Sequence, residues 1–207
     1  MSQLFQIHPV NPQSRLIRQA VAILRAGEVI AYPTDSSYAL GCGLDNKAAV
    51  DKIRAIRQFD RDHNFTLVCR DLSEIASYAR VDNSQYRLLR NLTPGPYTLI
   101  LRATREVPRR LQHPRRKTIG IRIPEHAIVQ ALLEELGEPL MSSTLIMPGE
   151  ELPLNDAVEI RERLQHDVAL VIDGGPCAAE PTTVLDLEEE GEPRVLRQGR
   201  GDASAFL

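Results

Sequence analysis

The chain has 207 residues, 43% hydrophobic and 26% charged, with 14 Pro and 12 Gly, a globular composition with enough apolar residues for one sizeable core. No apolar run approaches the roughly 18 residues that span a bilayer, the N-terminus has no signal-peptide pattern, and three widely spaced cysteines exclude a disulfide framework and fit a reducing cytoplasm. The net charge of −3 hides a division: residues 1–124 carry 20 Lys and Arg against 10 Asp and Glu, whereas residues 125–207 carry 5 against 18. Clustered charge focuses field locally whatever the total, so this asymmetry implies a basic groove for an anionic partner. With no internal repeat and no low-complexity linker, a single domain over 1–207 is expected.

Phe5 and Ile7 alternate with polar neighbours as in a short first strand. Asn11-Pro12 reads as the N-cap and first position of a helix whose apolar face is Leu16, Ile17, Ala20, Val21 and Leu24, stopped at Gly27. Strands are predicted over Val29–Tyr32 and Tyr38–Cys42, separated by the polar turn Thr34-Asp35-Ser36-Ser37, and a helix over Ala48–Ile56. Strand Phe65–Cys69, helices near Leu72–Tyr78 and Gln85–Leu92, and strand Tyr97–Leu101 follow, the last entered through the stiff Thr93-Pro94-Gly95-Pro96. Then come strand Thr118–Ile123, helix Ile128–Leu136 capped by Gly137, strand Leu140–Leu145, a helix near Val158–Leu164, and strands Ala169–Ile172, Thr183–Leu187 and Arg194–Leu196. Helices and strands interleave without strict alternation, which predicts an α/β protein with an open, twisted, mixed sheet.

Several familiar motifs fail. Gly41-x-Gly43 lacks the third glycine of a dinucleotide fingerprint, which would fall on Asn46. There is no phosphate-binding P-loop, the five histidines show no metal spacing, and nothing specific supports Cys42 and His63 as a nucleophile and base. Other segments carry a signal. The Thr34–Ser37 turn displays hydroxyls and amides at a strand's carboxyl end, where open α/β sheets hold ligands. Arg54, Arg57 and Arg61 flank a helix exit. Arg122 lies in an otherwise apolar strand and needs a counter-charge or a bound anion. Ser142, Ser143 and Thr144, then Thr182, Thr183 and Arg197, again place hydroxyls and a cation at strand ends. The run from Arg109 and Arg110 through Arg115, Arg116 and Lys117, with Arg102 and Arg105 upstream, reads as a patch for a phosphate backbone, without the aromatics that base stacking needs.

Taken in order, P-T-D-S-x-Y-A-L-G-C (33–42), P-G-P-Y-T (94–98), the R-x-P strand (122–124), S-S-T (142–144), P-T-T-V-L-D (181–186) and V-L-R-x-G (195–199) resemble the YrdC/YciO family, and its YciO branch most closely. The resemblance covers essentially the whole chain. It implies a YrdC-like open twisted mixed sheet flanked by helices, with an electropositive concave groove. It also implies an L-threonylcarbamoyladenylate synthase-like nucleotidyltransferase that uses ATP with Mg²⁺, L-threonine and bicarbonate, linked to tRNA threonylcarbamoyladenosine, and binding to double-stranded RNA or tRNA. On the matching positions Thr34 would contact the threonine, Arg122, Ser142, Ser143 and Thr144 would line substrate and nucleotide, and Arg197 would hold the adenylate. Arg57 falls on the first basic position of the family's K-x-R motif, with Arg61 a partial substitute for the second.

The sequence departs from the family where charge matters. K-x-R becomes Arg57-Gln58-Phe59, a later lysine falls on His63, and S-x-N becomes Thr144-Leu145-Ile146. An Arg aimed at phosphate stabilises charge that develops in the transition state, so its loss implies a weak synthase. Two other functions fit the same resemblance: a non-catalytic protein that binds double-stranded RNA, tRNA or ribosomal RNA, or an enzyme that removes the threonylcarbamoyl group from tRNA. The chain is expected to lack the extra C-terminal domain of longer synthases and the paired-cysteine motifs of the hydrogenase-maturation carbamoyltransferases.

Overall fold

The structure, a computed structural model, describes residues 1–59, 63, 65–188 and 193–206. Along the chain it places β1 (Gln3–Gln6), α1 (Ser14–Arg25), β2 (Ile30–Pro33), β3 (Tyr38–Cys42), α2 (Lys47–Arg57), β4 (Thr66–Val68), α3 (Leu72–Tyr78) and α4 (Asn83–Leu92). β5 (Tyr97–Arg102), β6 (Thr118–Arg122), α5 (Ala127–Leu136), β7 (Leu140–Thr144), α6 (Ala157–Leu164), β8 (Leu170–Asp173), β9 (Thr183–Asp186) and β10 (Arg194–Arg197) complete it. The strands form one ten-stranded sheet in the order β1-β8-β2-β3-β7-β4-β6-β5-β9-β10. β8 is parallel to β1 and β2, β4 to β6 and β5 to β9, and the remaining pairs are antiparallel. The predicted α/β class with an open mixed sheet is therefore what the chain adopts. Among the described residues no helix is long and apolar enough to cross a membrane.

The period of two in each strand separates two cores. Ala31, Leu67 and Met141 face one of them, together with α2 (Val50, Ile53), α3 (Ile75), α4 (Leu89) and α6 (Ile160, Leu164). Their neighbours Tyr32, Val68 and Leu140 face the other, beneath α1 (Ile17, Val21, Leu24) and α5 (Ile128, Leu132, Leu136). No residue of β5, β6, β9 or β10 joins this second core. One face of the sheet is thus covered by four helices, while the other is covered over β1, β8, β2 and β3 and at the Leu140 and Val68 positions of β7 and β4. The uncovered half of that face is the groove.

Several boundaries differ from the sequence reading by one or two residues, and at α1 the cause is plain. α1 begins at Ser14 after Gln13, not at Pro12 after Asn11, and its N-cap makes no side-chain hydrogen bond. His8 is the reason: its Nδ1 accepts from the Val10 and Asn11 amides, and Gln13 Oε1 accepts from the His8 amide. Asn11 is thereby drawn into a side-chain-closed turn instead of capping the helix. The two glycine stops hold, because Gly27 and Gly137 take φ of +88° and +78°, where a side chain is strained.

Candidate functional site

The groove floor is built from small residues. Strand register aligns Gly41 with Ser142, Ser142 with Thr66, and Thr66 with Gly120 across four neighbouring strands. At Gly120 a Cβ would come within 2.8 Å of Thr66 Oγ1, and at Gly41 within 2.7 Å of the Tyr32 ring. Tyr32 uses the space over Gly41 to reach across β3, and its hydroxyl lies 2.6 Å from Ser142 Oγ. A cavity of about 290 Å³ opens above this floor, lined by hydroxyls of Thr66, Thr98, Ser142, Ser143, Thr144 and Thr182 and by the charged side chains Arg57 and Arg197. His63, Ile100, Ile146, Val184 and Leu196 complete its walls, and among the described residues none that lines it is a carboxylate.

Arg57 ends α2, and Gln58 follows in the left-handed conformation at φ 51°, turning the chain out of the helix. The guanidinium donates from Nε to Ser143 Oγ at 3.3 Å and lies 5.0 Å from the centre of the Phe59 ring. Burial pulls its pKa down to about 10, so it remains charged at neutral pH. Phe59 itself stacks on His63 at 3.6 Å with 10° between the rings, and Phe65 meets both edge-on. At least one face of Phe59 is therefore occupied by protein, and the ring that stands in for the family's second cation supports Arg57. Arg61 lies outside the described residues.

Arg197 reaches the groove because β10 bulges. Between Val195 and Arg197 the register against β9 shifts by one residue, which lets the consecutive residues Leu196 and Arg197 both line the cavity. Arg197 donates from Nε and Nη2 to the Thr182 carbonyl at 3.0 and 2.9 Å, and Thr182 Oγ1 lies 2.8 Å from Thr98 Oγ1. Burial lowers the Arg197 pKa, and the nearby Arg122 charge lowers it further. Gly199 presses against the backbone of Pro181 and Thr182 so closely that a Cβ there would lie 2.3 Å from the Pro181 carbonyl oxygen. This close approach accounts for the glycine of V-L-R-x-G.

Arg122 finds the partner that its strand position required. Its Nη2 donates to Asp35 Oδ1 at 2.6 Å and to Ser36 Oγ at 3.2 Å, while Asp35 Oδ2 accepts from the Glu125 amide at 2.9 Å. The two side chains are only 5% and 10% exposed, and Arg122 Nε has no partner. Thr34 holds the turn that delivers Asp35: its hydroxyl donates to the Ser37 carbonyl at 2.7 Å and accepts from the Ser36 and Ser37 amides. Thr34 and Arg122 do not line the cavity, whereas Arg57, Ser142, Ser143, Thr144 and Arg197 do.

The basic run divides in two. Arg116 pairs with both Asp186 and Glu188; burial alone would lower its pKa, but these bonds raise it. Arg110 donates to the Leu44 carbonyl and faces Asp45 at 4.0 Å, so both side chains are tied into the fold. In the structure, then, Arg110 and Arg116 of the expected phosphate-binding run are already engaged by protein groups. Arg109, Arg115 and Lys117 remain exposed, together with Arg102 and Arg105. Among these, none has a carboxylate within ion-pair distance among the described residues.

Sequence reasoning passed over Thr66, the reach of Tyr32 to Ser142 and the pocket-facing roles of His63 and Thr98. Thr98 and Thr182 sit inside motifs already noted, so hydroxyls near strand ends are the signal that could have marked them. Cys42 is fully buried, and burial pushes its thiol up to about 12, which disfavours the thiolate that a nucleophile needs.

A family model named Sua5_yciO_yrdC and described as telomere recombination matches residues 22–199. The chain belongs to this family. Over 207 residues it is 56% identical to YciO of Escherichia coli strain K12, with all of each chain covered. It superposes on the crystal structure of E. coli YciO with a TM-score of 0.97, again over the whole of both chains. A threonylcarbamoyl-AMP synthase of Bos taurus is 32% identical over 200 residues, which is 91% of this chain and 71% of that protein. The crystal structure of P. abyssi Sua5 complexed with L-threonine matches with a TM-score of 0.87 at 25% identity, over 96% of this chain and 58% of that one. Within the Sua5/YciO/YrdC family, then, the chain lies nearer YciO than the synthases, which accords with its altered K-x-R and S-x-N positions.

Proposed function

We propose that the groove serves a slow threonylcarbamoyl-AMP synthase-like nucleotidyltransferase acting on ATP, L-threonine and bicarbonate in tRNA threonylcarbamoyladenosine metabolism. The observation that carries this reading is a surplus of desolvated positive charge. Arg57 and Arg197 line the cavity, Arg122 lies close enough to Arg197 to depress its pKa, and Asp35 is the one carboxylate paired with the three among the described residues. Cations taken out of water are costly unless paired, and an anionic ligand supplies the missing charge. Kinship with the synthases supports ATP and threonine as the source of that charge.

In this reaction the threonine amine takes up bicarbonate to form a carbamate with loss of water. A carbamate oxygen then bonds to the α-phosphorus, the α–β bridging bond breaks, and pyrophosphate leaves with the bridging oxygen. The protein positions these groups and stabilises charge, with Arg57 and the Ser142, Ser143 and Thr144 hydroxyls as donors and Arg197 holding the adenylate. Among the described residues no cluster of three His, Cys, Asp or Glu is placed to hold a metal. Mg²⁺ would enter on the ATP phosphates, where it neutralises charge with few protein ligands. Phe59 and Ile146 offer no donor where the family has Arg and Asn, so turnover is slow. Incubation with ATP, Mg²⁺, L-threonine and bicarbonate is expected to yield threonylcarbamoyl-AMP and pyrophosphate at a low rate. Absence of product together with absence of ATP and threonine binding at millimolar concentration overturns the reading.

A second reading rests on the exposed cations. Arg109, Arg115 and Lys117, which are exposed and do not line the cavity, would contact structured RNA, tRNA included. Replacing all three by alanine is expected to weaken tRNA binding on the order of 100-fold at low salt and to lower the slope of log affinity against log salt by about 2 to 3. The Arg116→Ala variant should leave that slope nearly unchanged, because Arg116 is committed to Asp186 and Glu188. An unchanged slope in the triple variant removes this surface from consideration.

A further inference from the structure

Tyr32 is fully buried, yet its hydroxyl reaches the wall of the cavity at Ser142. Among the described residues its one hydrogen-bond partner is Ser142 Oγ at 2.6 Å, and the distance alone allows either oxygen to donate. The surroundings decide the direction. If Ser142 donated, the phenol hydrogen would be buried with nothing to receive it, a rare and costly state. Burial also pushes the phenol pKa up to about 12, so the hydrogen is present throughout the neutral range. Tyr32 must therefore be the donor. Among the described residues the Ser142 hydrogen then has no acceptor, and the cavity that the side chain lines is where one can be found. Gly41 makes this possible, since a Cβ there would lie 2.7 Å from the Tyr32 ring and push it off Ser142.

We propose that Tyr32 is a positioning residue of the groove: it donates to Ser142 Oγ and thereby commits the Ser142 hydroxyl to donate to an anionic oxygen of the bound ligand. The inference deepens the reading of the groove as a nucleotide and amino-acid site, and rests on it. A pocket lined among the described residues by two arginines, six hydroxyls and no carboxylate has one of those hydroxyls fixed as a donor, which favours phosphate or carboxylate oxygens over neutral donors.

The test is a double-mutant cycle read by titration with ATP and Mg²⁺ in the presence of L-threonine. The Ser142→Ala variant is expected to bind ATP about five- to tenfold more weakly, and Tyr32→Phe to lose a similar factor. The double variant should bind no more weakly than Ser142→Ala, because Tyr32 acts only through Ser142. A purely structural role for Tyr32 would give losses that multiply. Independently of any ligand, the infrared C–O stretch of Tyr32, identified by its absence in Tyr32→Phe, should sit where a donating phenol absorbs and should shift in Ser142→Ala. Unchanged affinity in Tyr32→Phe, multiplying losses, or a band that does not move overturns the inference. If the wild-type protein binds neither ATP nor threonine, the reading of the groove falls, and with it the ligand half of the inference. The infrared band then decides the hydrogen-bond direction alone.

Discussion

The Arg57→Ala variant should lose ATP binding by on the order of 100-fold, with any synthase turnover falling at least as far. The side chain stands at the end of α2, where the helix carbonyls favour a cation. It is desolvated enough to pull its pKa down to about 10, and among the described residues no carboxylate neutralises it. Hydrogen bonds between charged partners contribute about 2 to 3 kcal/mol in such settings, and more when the charge grows in a transition state. The Arg57→Lys variant keeps the charge but not the planar fork, so it should recover only part of the loss. The pH dependence has a definite sign: affinity for the anion should be flat from neutral pH to about 9 and fall as pH rises through about 10, where Arg57 loses its proton. Isothermal titration of wild type and both variants across that range is the measurement. Equal affinities for wild type and Arg57→Ala would mean that the cavity is not the anion site.

Replacing Asp35 by alanine should destabilise the protein by about 3 to 5 kcal/mol, the usual cost of stranding one member of a buried ion pair. Arg122 would be left 5% exposed, with Nε already lacking a partner and with the Arg197 charge nearby. The Glu125 amide would lose its acceptor as well. For a chain of this size the loss corresponds to a fall in Tm of about 10 °C. Inorganic phosphate should restore more stability to Asp35→Ala than to wild type, because an anion can enter where the carboxylate was. A Tm within about 2 °C of wild type would show that Arg122 does not depend on Asp35. The Asp35→Asn variant keeps an acceptor for one of the two donors and should fall between.

Much of this arrangement is local and therefore legible in the sequence. Gly27 and Gly137 mark helix ends because positive φ is a property of a single residue, and the limits of β3 and α3 follow from short-range periodicity. Arg122 could be recognised as needing a partner from its apolar neighbours, but that partner lies 87 residues away, and only the twist of the sheet carries the Thr34–Ser37 turn onto the end of β6. The basic run 109–117 looked uniform, since a sequence lists charges without their counter-ions. Pairing with Asp186 and Glu188, some 70 residues on, gives Arg116 counter-ions within the fold.

The α1 start shows the same limit at short range. Asn11-Pro12 is a sound capping pattern, but His8 competes for the Val10 and Asn11 amides and the cap loses. By itself the sequence determined the order of elements, the α/β class, the helix stops and the residue types near strand ends, all of which depend on neighbours within a few positions. The tertiary structure alone decided the strand order, the half-open face that makes the groove, the Asp35–Arg122 pair and the reach of Tyr32 over Gly41 to Ser142. These join residues about 90 to 110 positions apart, and such contacts are set by how layers pack and twist, which no local pattern encodes.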